Sequence, residues 1–498
     1  MPSEEELFAQ RAEKRRLLLE RGDAYPARTG RTHATSVAVD GLEAAESAGA
    51  ERTEYSVTVA GRVTAQRVMG KAAFLDVRDG SGRIQLHLRR DALEGEAFAL
   101  LDLVDLGDFI EATGPVFRTR TGEATIAVER WTVLAKSLRP MPEKFHGVTD
   151  TEIRYRQRHL DLMANERSRE IARQSAAVIA SVRRFFHERD FIEVDTPVLQ
   201  EHAGGAAARP FVTHHNALGR DLFLRISLEL HLKRLLIGGF DRVFEIGRVF
   251  RNEGVDTRHN PEFTLLESYE AYADYEDVAR MVEELVRRVA SEVAGGLKLP
   301  YGEHLVDLEA PFRRTTYREA LIEHAGIDFT QHLELDSLRA VARDRGVPFD
   351  EGASWATVLD ALMSALVEPH LVQPTFILDY PTALSPLAKR KPGDLDVVER
   401  FELFIVGHEI ANAYSELNDP VEQRERMLAQ AAKAAAGDEE AELADEAFLQ
   451  ALEHGMPPAG GLGIGLERLM MLVTGERSIR EVVLFPALRA QQASTDDG

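Results

Sequence analysis

Three stretches of this chain crowd ionisable and aromatic residues at spacings that suit chemistry. The segment DRVFEIGRVFRNEGVDTRHNPEFTLLESYEAYADY (241–275) reads as strand, polar loop, strand. Alternation predicts Arg251 and Glu253 on one face of the first strand and Phe263, Glu267 and Tyr269 on one face of the second, with Arg258 and His259 in the loop. Burying so many charges is costly unless partners or a polar ligand satisfy them. A planar guanidinium suits phosphate, and the Phe263 ring suits stacking on a base. Any one of these residues alone reads as part of a solvated face; their density at matching parity points to a site. In RFELFIVGHEIANAYSELNDP (400–420), a hairpin at Gly407-His408 places Glu402 and Glu409 on one face. Paired carboxylates there are natural Mg²⁺ ligands, or else a surface ladder of charges. Asn412, Tyr414 and Glu416 share a parity that is not Glu409's, so a common ligand requires a bulge or must straddle the sheet. The run Gly461-Leu462-Gly463-Ile464-Gly465 leads into the helical LERLMMLVTG, with Arg468 in its first turn. Such a run lets backbone approach a ligand and aims free N–H groups at an anion, or simply allows close helix–sheet packing. No G-x-x-x-x-G-K-[ST] string occurs, and too little chain follows the glycines for a dinucleotide half-domain.

The elements that must position these residues follow from patterning. Residues 4–22 read as an amphipathic helix, and polar 23–54 as a connector. Residues 55–136 hold five alternating strands, YSVTVAGRV, AAFLDVRD, RIQLHLRRD, DFIEATGPVF and ATIAVERWTVL, with a helix-like DALEGEAFALLDLV between the third and fourth. That pattern matches a five-stranded Greek-key barrel of the OB type, which binds oligonucleotides. LRPMPEKFHG (138–147) reads as the domain boundary, giving an OB domain over 55–142 and a second domain over 150–490. The latter opens on a long helical stretch and a short strand, FIEVDTPVL, stopped by Pro197. An α+β fold follows, built on a mostly antiparallel sheet with flanking helices and a helical insertion at about 315–370. Residues 420–453 read as a charged helical pair, and 491–498 as a disordered tail.

Composition narrows the chemistry. Of 498 residues, 44% are hydrophobic and none is Cys. Disulfides, thiolate zinc, Fe–S clusters and a Cys nucleophile are therefore excluded, and a metal must be held by carboxylates or imidazoles. No apolar run approaches the length of a membrane helix, and the charged N-terminal stretch has no secretory pattern, so a cytoplasmic protein without membrane association is expected. The net charge of −23 weighs against nucleic acid, but Arg89-Arg90, Arg118 with Arg120, and Lys389-Arg390-Lys391 form local basic clusters.

In order along the chain, FIEVDTPVL, RVFEIGRVFRNEG…RHNPEFTLLE and GLGIGLERL resemble the three signature motifs of class II aminoacyl-tRNA synthetases. RYRQRHLDL, GGAAARPF, LHLKRLLIGGFDRVFEIGRVFRNEG and SELNDP resemble the bacterial-type lysyl-tRNA synthetases, and the likeness covers nearly the whole chain. The resemblance implies ATP-dependent formation of lysyl-adenylate, then transfer to the 3′ end of tRNA(Lys), in a homodimer joined through the first motif. It implies that Arg251 meets the α-phosphate and the lysine carboxylate, that Glu253, His259, Asn260 and Phe263 hold ATP, and that Arg468 covers adenine and reaches the γ-phosphate. It implies Mg²⁺ on Glu402 and Glu409, the lysine α-amino group at Gly205 and Glu229, and its ε-ammonium at Glu267, Tyr269 and Glu416 with Asn412 and Tyr414 alongside. In the barrel, it implies anticodon contacts at Arg67, Phe74, Gln85 and Glu123, although Phe74 also fits a core position. The chain departs from the family's usual residues at Ser227-Leu228 (usually Ala-Pro), at His408 (commonly Arg) and at Glu467 (usually Asp). Two other readings are an aspartyl- or asparaginyl-type synthetase, whose pocket should offer Arg or Lys, and a synthetase-like regulatory RNA-binding paralogue, which tends to lose motif residues or the barrel.

Overall fold

A computed structural model of the chain describes residues 3–22, 25–49, 55–93, 96–141, 148–435 and 445–489. It forms two compact units, Met1–Val148 and Thr149–Gly498. The expected disordered tail lies outside the described residues, as do 142–147 in the expected linker and 436–444 in the expected helical pair. No helix among the described residues is long and apolar enough to cross a membrane.

The first unit contains β1 (Ser56–Met69), β2 (Ala72–Arg78), β3 (Arg83–Arg89), β4 (Phe109–Arg118), β5 (Ala124–Ala127) and β6 (Arg130–Ala135). Their order is β1-β2-β3-β5-β4-β6, and β1 also pairs with β4. Alternation works as the pleat requires: Ala73, Leu75 and Val77 of β2 are buried in the core with Ile84, Leu86 and Leu88 of β3.

Three expectations for this unit need correction. ATIAVERWTVL is two strands, because β4 is long enough to take β5 at Val116–Arg118 and β6 at Phe109–Thr113. Among its described residues, the stretch 91–104 forms only a 3₁₀ turn, Ala99–Leu103. Its buried Phe98, Leu101 and Val104 recur every third residue, the 3₁₀ period. The connector contains a helix, Thr35–Ser47, whose Thr35, Ala38 and Leu42 form one buried stripe.

The second unit is built on one nine-stranded sheet. In chain order its strands are β7 (Ile192–Glu193), β8 (Leu199–Gln200), β9 (Val212–His215), β10 (Arg220–Leu224), β11 (Arg242–Phe250), β12 (Glu262–Ala271), β13 (Lys298–Tyr301), β14 (His304–Asp307), β15 (Arg313–Thr316), β16 (Thr375–Pro381), β17 (Arg390–Lys391), β18 (Asp394–Ile405), β19 (His408–Ser415) and β20 (Ala459–Gly465). The main sheet runs β15-β16-β18-β19-β20-β12-β11-β7, with β17 beside β18. Only its β7–β11 and β15–β16 pairs are parallel. The strands β8, β10 and β9 form a small separate sheet, and β13 and β14 a hairpin. FIEVDTPVL is thus not one strand but the short β7 and β8, in different sheets, with Pro197 between them unable to donate to a ladder. The expected long helical stretch is three helices, Thr151–Arg156, Arg158–Ala164 and Glu166–His187, separated at Gln157 and Asn165, which leave the helical region.

One face of the main sheet packs on the helices Glu166–His187, Tyr275–Val289 and Leu466–Thr474 in a large apolar core. The opposite face carries the polar residues. Its β11 and β12 side is supported by the leucines of the helix Glu229–Ile237. Its β16 and β18 side is covered by the expected insertion, the helices Tyr317–Ala325, Leu335–Asp344 and Trp355–Leu366, which pack on Ile377, Tyr380 and Phe404.

Candidate active site

The register of the sheet draws the site. One rung runs Glu245, Glu267, Gly463, Asn412, Glu402 across β11, β12, β20, β19 and β18. The next runs Val243, Tyr269, Gly461, Tyr414, Arg400. Directly paired residues share a face, so both rungs point the same way. At their centre β20 contributes only glycine, while its intervening Leu462 and Ile464 enter the core behind. The glycine run is therefore a strand that forms a side-chain-free floor, not a loop. A Cβ at Gly461 would lie 1.8 Å from Glu416 Oε1 and 2.7 Å from Tyr269 Cε1, whereas one at Gly463 would meet nothing closer than 3.8 Å.

The parity conflict along β19 is resolved by a bulge. Leu403 pairs with Ala411 but Phe404 with Glu409, leaving Ile410 extra. Glu402, Glu409, Asn412 and Tyr414 consequently share one face. The hairpin turns at Val406-Gly407, one residue earlier than expected, with both residues at positive φ.

At the β12 end, three glutamates converge. Glu267 accepts hydrogen bonds from Ser227 Oγ (2.8 Å), the Leu228 N–H (3.0 Å) and the Tyr269 hydroxyl (2.9 Å). The Ser227-Leu228 departure thus supplies two donors to Glu267; a proline at 228 would have no N–H to give. Glu229 accepts from the Tyr414 hydroxyl (2.7 Å) and pairs with Lys233 Nζ at 2.5 Å. Lys233 also ion-pairs with Glu416, neither of whose carboxylate oxygens has a hydrogen bond of ordinary geometry. Glu229, Glu267 and Glu416 are at most 5% exposed and Lys233 is 0% exposed. Gly205, at φ +86°, closes this end: a Cβ there would sit 2.9 Å from Ser227 Oγ and 3.1 Å from Glu229 Cβ.

Glu416, which the resemblance assigns to the substrate's ε-ammonium, already carries the chain's own Lys233. Lys233 went unread in the sequence, although it lies four residues after Glu229 on the same helical face as Leu232 and Leu236, a lysine on an apolar stripe. Arg400 was missed too. Its guanidinium donates to Glu402 (2.5 Å) and Asn412 Oδ1 (3.1 Å), and its parity with Glu402 was the available signal.

Electrostatics follow from burial and crowding. Burial, then the Glu229 charge, push Glu267 up to about 7. Burial would depress Lys233, but Glu229 and Glu416 outweigh it and hold its ammonium above the ordinary value. Burial and Glu229 raise the Tyr269 and Tyr414 hydroxyls well above theirs, so both remain donors.

At the other end, Arg251 and Glu253 follow β11 in the loop rather than lying on the strand as expected, and Glu253 is exposed. The Arg251 guanidinium sits 5.2 Å from the Phe263 ring centroid and donates to the Ile226 carbonyl at 3.4 Å. Arg468 donates to the backbone carbonyl and Oε2 of Glu409, both at 3.0 Å, and lies 3.5 Å from His259 Nε2. His259 in turn contacts Asp256 (2.9 Å). Asn260 is buried, donating to the Glu262 carbonyl and accepting from the Ala487 N–H. Glu467 accepts the Thr264 N–H on both oxygens, at 2.9 Å each. His408, shielded from water and near Arg258 and Arg468, is pushed down to about 4.

Glu402 and Glu409 form the candidate metal pair. Glu402 is held by Arg400 and by the Tyr380 hydroxyl (2.8 Å), Glu409 by Arg468. Among the described residues no three metal-ligating side chains converge. Two carboxylates on one face fit a hard cation such as Mg²⁺, which takes its other oxygens from phosphates and water.

In the first unit, Phe74 lies outside the core. It is stacked on His87 at 4.6 Å, with 7° between the ring planes, and is paired across the strands with Arg67. Gln85 shares this outer face and accepts from Thr125 Oγ1 (3.2 Å). Glu123 pairs with Arg83 at 2.5 Å. All four candidate residues thus border one face.

Residues 150–489 match the family described as tRNA synthetases class II (D, K and N), and residues 57–134 match the OB-fold nucleic acid binding domain. The chain belongs to the class II tRNA synthetases, with an OB-fold anticodon-binding domain ahead of the catalytic one. Within that class it is 50% identical over 491 residues to a lysine–tRNA ligase of Dehalococcoides mccartyi, 98% of each chain. It is 48% identical over 493 residues to that of Moorella thermoacetica, 99% of each. The lysine–tRNA ligase of Nostoc sp. is 47% identical over 500 residues, 98% of this chain and 89% of the relative.

Proposed function

We propose that the protein is a lysine–tRNA ligase that activates L-lysine with ATP and transfers the lysyl group to the 3′ end of its tRNA. One observation carries the choice of amino acid: three buried carboxylates converge beside a glycine floor, and the internal ammonium of Lys233 pairs with only two of them, so that in their ionised forms they leave two negative charges for a ligand. Lysine brings two ammonium groups. An aspartate or asparagine pocket would need donors or cations where Glu267 and Glu416 stand.

In the first step a lysine carboxylate oxygen attacks the α-phosphorus of ATP, and the bond to the bridging oxygen breaks, releasing pyrophosphate. Arg251 binds both the attacking carboxylate and the α-phosphate, aligning them and offsetting the charge that builds there. Phe263 stacks on one side of adenine and Arg468 on the other, with Arg468 reaching towards the γ-phosphate. Glu253, His259 and Asn260 complete the ATP contacts. Gly205 and Glu229 receive the α-amino group; Glu267, Tyr269 and Glu416 receive the ε-ammonium, bordered by Asn412 and Tyr414. Glu402 and Glu409 would hold Mg²⁺, which when bound neutralises phosphate charge. In the second step a ribose hydroxyl at the tRNA 3′ end attacks the lysyl carbonyl and AMP departs.

Arg67, Phe74, Gln85 and Glu123 form the anticodon-binding face of the barrel, where a flat ring stacks a base and polar groups read its edge. The protein acts in the cytoplasm as a homodimer. The exposed Ile192, Leu199, Val212 and Leu218, 46–60% accessible and gathered around the first motif, support that association. The decisive experiment is pyrophosphate exchange with each of the twenty amino acids. Lysine alone should sustain a high rate; a higher rate with any other amino acid overturns the assignment.

A further inference from the structure

Lys233 is fully buried between Glu229, on its own helix, and Glu416, beyond the end of β19. Its Nζ lies 5.6 Å from the Tyr414 ring centroid. The charged and titratable groups around this cluster are Glu267 and Tyr269 from β12 and Tyr414 from β19, while β20 offers only the backbone of Gly461. Three carboxylates so close repel one another, and desolvation opposes charge on each. Among the described residues Lys233 is the cation that ion-pairs with Glu229 and Glu416, while Arg251 lies near Glu267; removing Lys233 leaves protonation as the route by which Glu229 and Glu416 shed that repulsion.

We propose that Lys233 is a positioning residue for lysine selection: by pairing with Glu229 and Glu416 it favours their ionised forms over protonation and aims both at the glycine floor, so that once Glu267 is ionised the pocket's own groups sum to two negative charges. The match is to the two ammonium groups of the substrate, and this rests on the lysine reading above. An internal lysine thereby sets how much positive charge the incoming amino acid must carry. A neutral residue at 233 would leave a pocket that holds further protons near neutral pH, on Glu229 and Glu416 as well as Glu267, and must release them before lysine binds.

The test is lysine-dependent pyrophosphate exchange by the full-length protein, comparing wild type, Lys233→Met, Lys233→Arg, Glu416→Gln and the Lys233→Met/Glu416→Gln double variant. Lys233→Met should raise the lysine KM on the order of 100-fold near pH 6.5. The rise should shrink to about tenfold near pH 9, where the glutamates ionise without help. Its ATP KM should change less than about threefold, and Lys233→Arg should stay within about tenfold of wild type at both pH values. In the double variant the two effects should combine to less than their product, because each removes the partner of the other. If Lys233→Met does not fold, the Arg variant and the double variant decide. A pH-independent rise, a lowered lysine KM (making Lys233 a competitor of the substrate), equal changes in the lysine and ATP KM, or fully multiplicative effects would each overturn the proposal. Wild type without lysine-dependent exchange would instead sink the lysine reading itself.

Discussion

Glu267 is where burial and function conflict most directly. Held at about 7 by desolvation and by Glu229, it is half-protonated near neutral pH, yet an ammonium ligand requires the carboxylate. Lysine binding should therefore release a proton, and the lysine KM should fall several-fold as pH rises from about 6 to about 8, with a smaller change in the ATP KM. Calorimetry in buffers of different ionisation enthalpy reads the proton directly. The sign for stability is opposite. Folding raises this pKa, so the associated stability is present below the unfolded value and is lost as pH climbs through about 7. The ligand-free Tm should drop over that window, and Glu267→Gln should flatten the drop while abolishing lysine-dependent exchange. Glu416→Gln should raise the lysine KM by roughly 30-fold or more, the about 2–5 kcal/mol expected when one partner of a desolvated charge pair is truncated, and leave the ATP KM nearly unchanged. Equal changes in both constants would remove Glu416 from side-chain recognition.

At the scale of elements, β20 and the β18–β19 hairpin do the positioning. A Gly463→Ala side chain would meet no protein atom closer than 3.8 Å, so the fold has room for it. That methyl would stand on the floor of the proposed lysine pocket. The variant should melt within about 2 °C of wild type and lose most of its lysine affinity, as thermal shift with and without lysine would show. Gly461→Ala, driven against Glu416 and Tyr269, should lower Tm as well.

These elements also show what could be read beforehand. Phe263, Glu267 and Tyr269 alternate cleanly, so their shared face was legible, and the parity clash between Glu409 and Asn412 announced either a bulge or a straddling ligand. The extra residue itself, Ile410, is apolar like Ala411 after it, and a bulge of one buried apolar residue leaves no mark in the pattern. Lys233 was hidden for another reason: its signal is a charge on the inside of a helix, and of the two partners that make it tolerable one, Glu229, is a turn away while the other, Glu416, comes from a segment about a hundred and eighty residues distant. The end of β11 before Arg251 escaped notice because alternation says which way side chains point while a ladder lasts, not where it stops.

Across the whole molecule, amino-acid chemistry and RNA reading fall in separate compact units, each with its own apolar core. Phe74→Ala should cut the rate of tRNA charging by about 5- to 160-fold, the loss expected when one stacked base contact of about 1–3 kcal/mol disappears. Lysine-dependent pyrophosphate exchange should be unaffected; a parallel fall would mean that the substitution acts on folding. Homodimer formation predicts twice the chain mass by light scattering, and aspartate at Val212 and Leu199 should shift the population towards single chains.

The outward placement of the Phe74–His87 stack has a consequence for how such a protein can change over generations. Its neighbours in sequence, Ala73 and Leu75, belong to the interior, so side chains on the proposed anticodon face alternate with core side chains and can be exchanged without opening a cavity beneath them. The pocket has no such latitude: its ionic partners are interlocked, and drift at one would demand simultaneous compensation at another. On the proposed roles, the RNA-reading face is thus the more tolerant of exchange and the lysine pocket the more constrained.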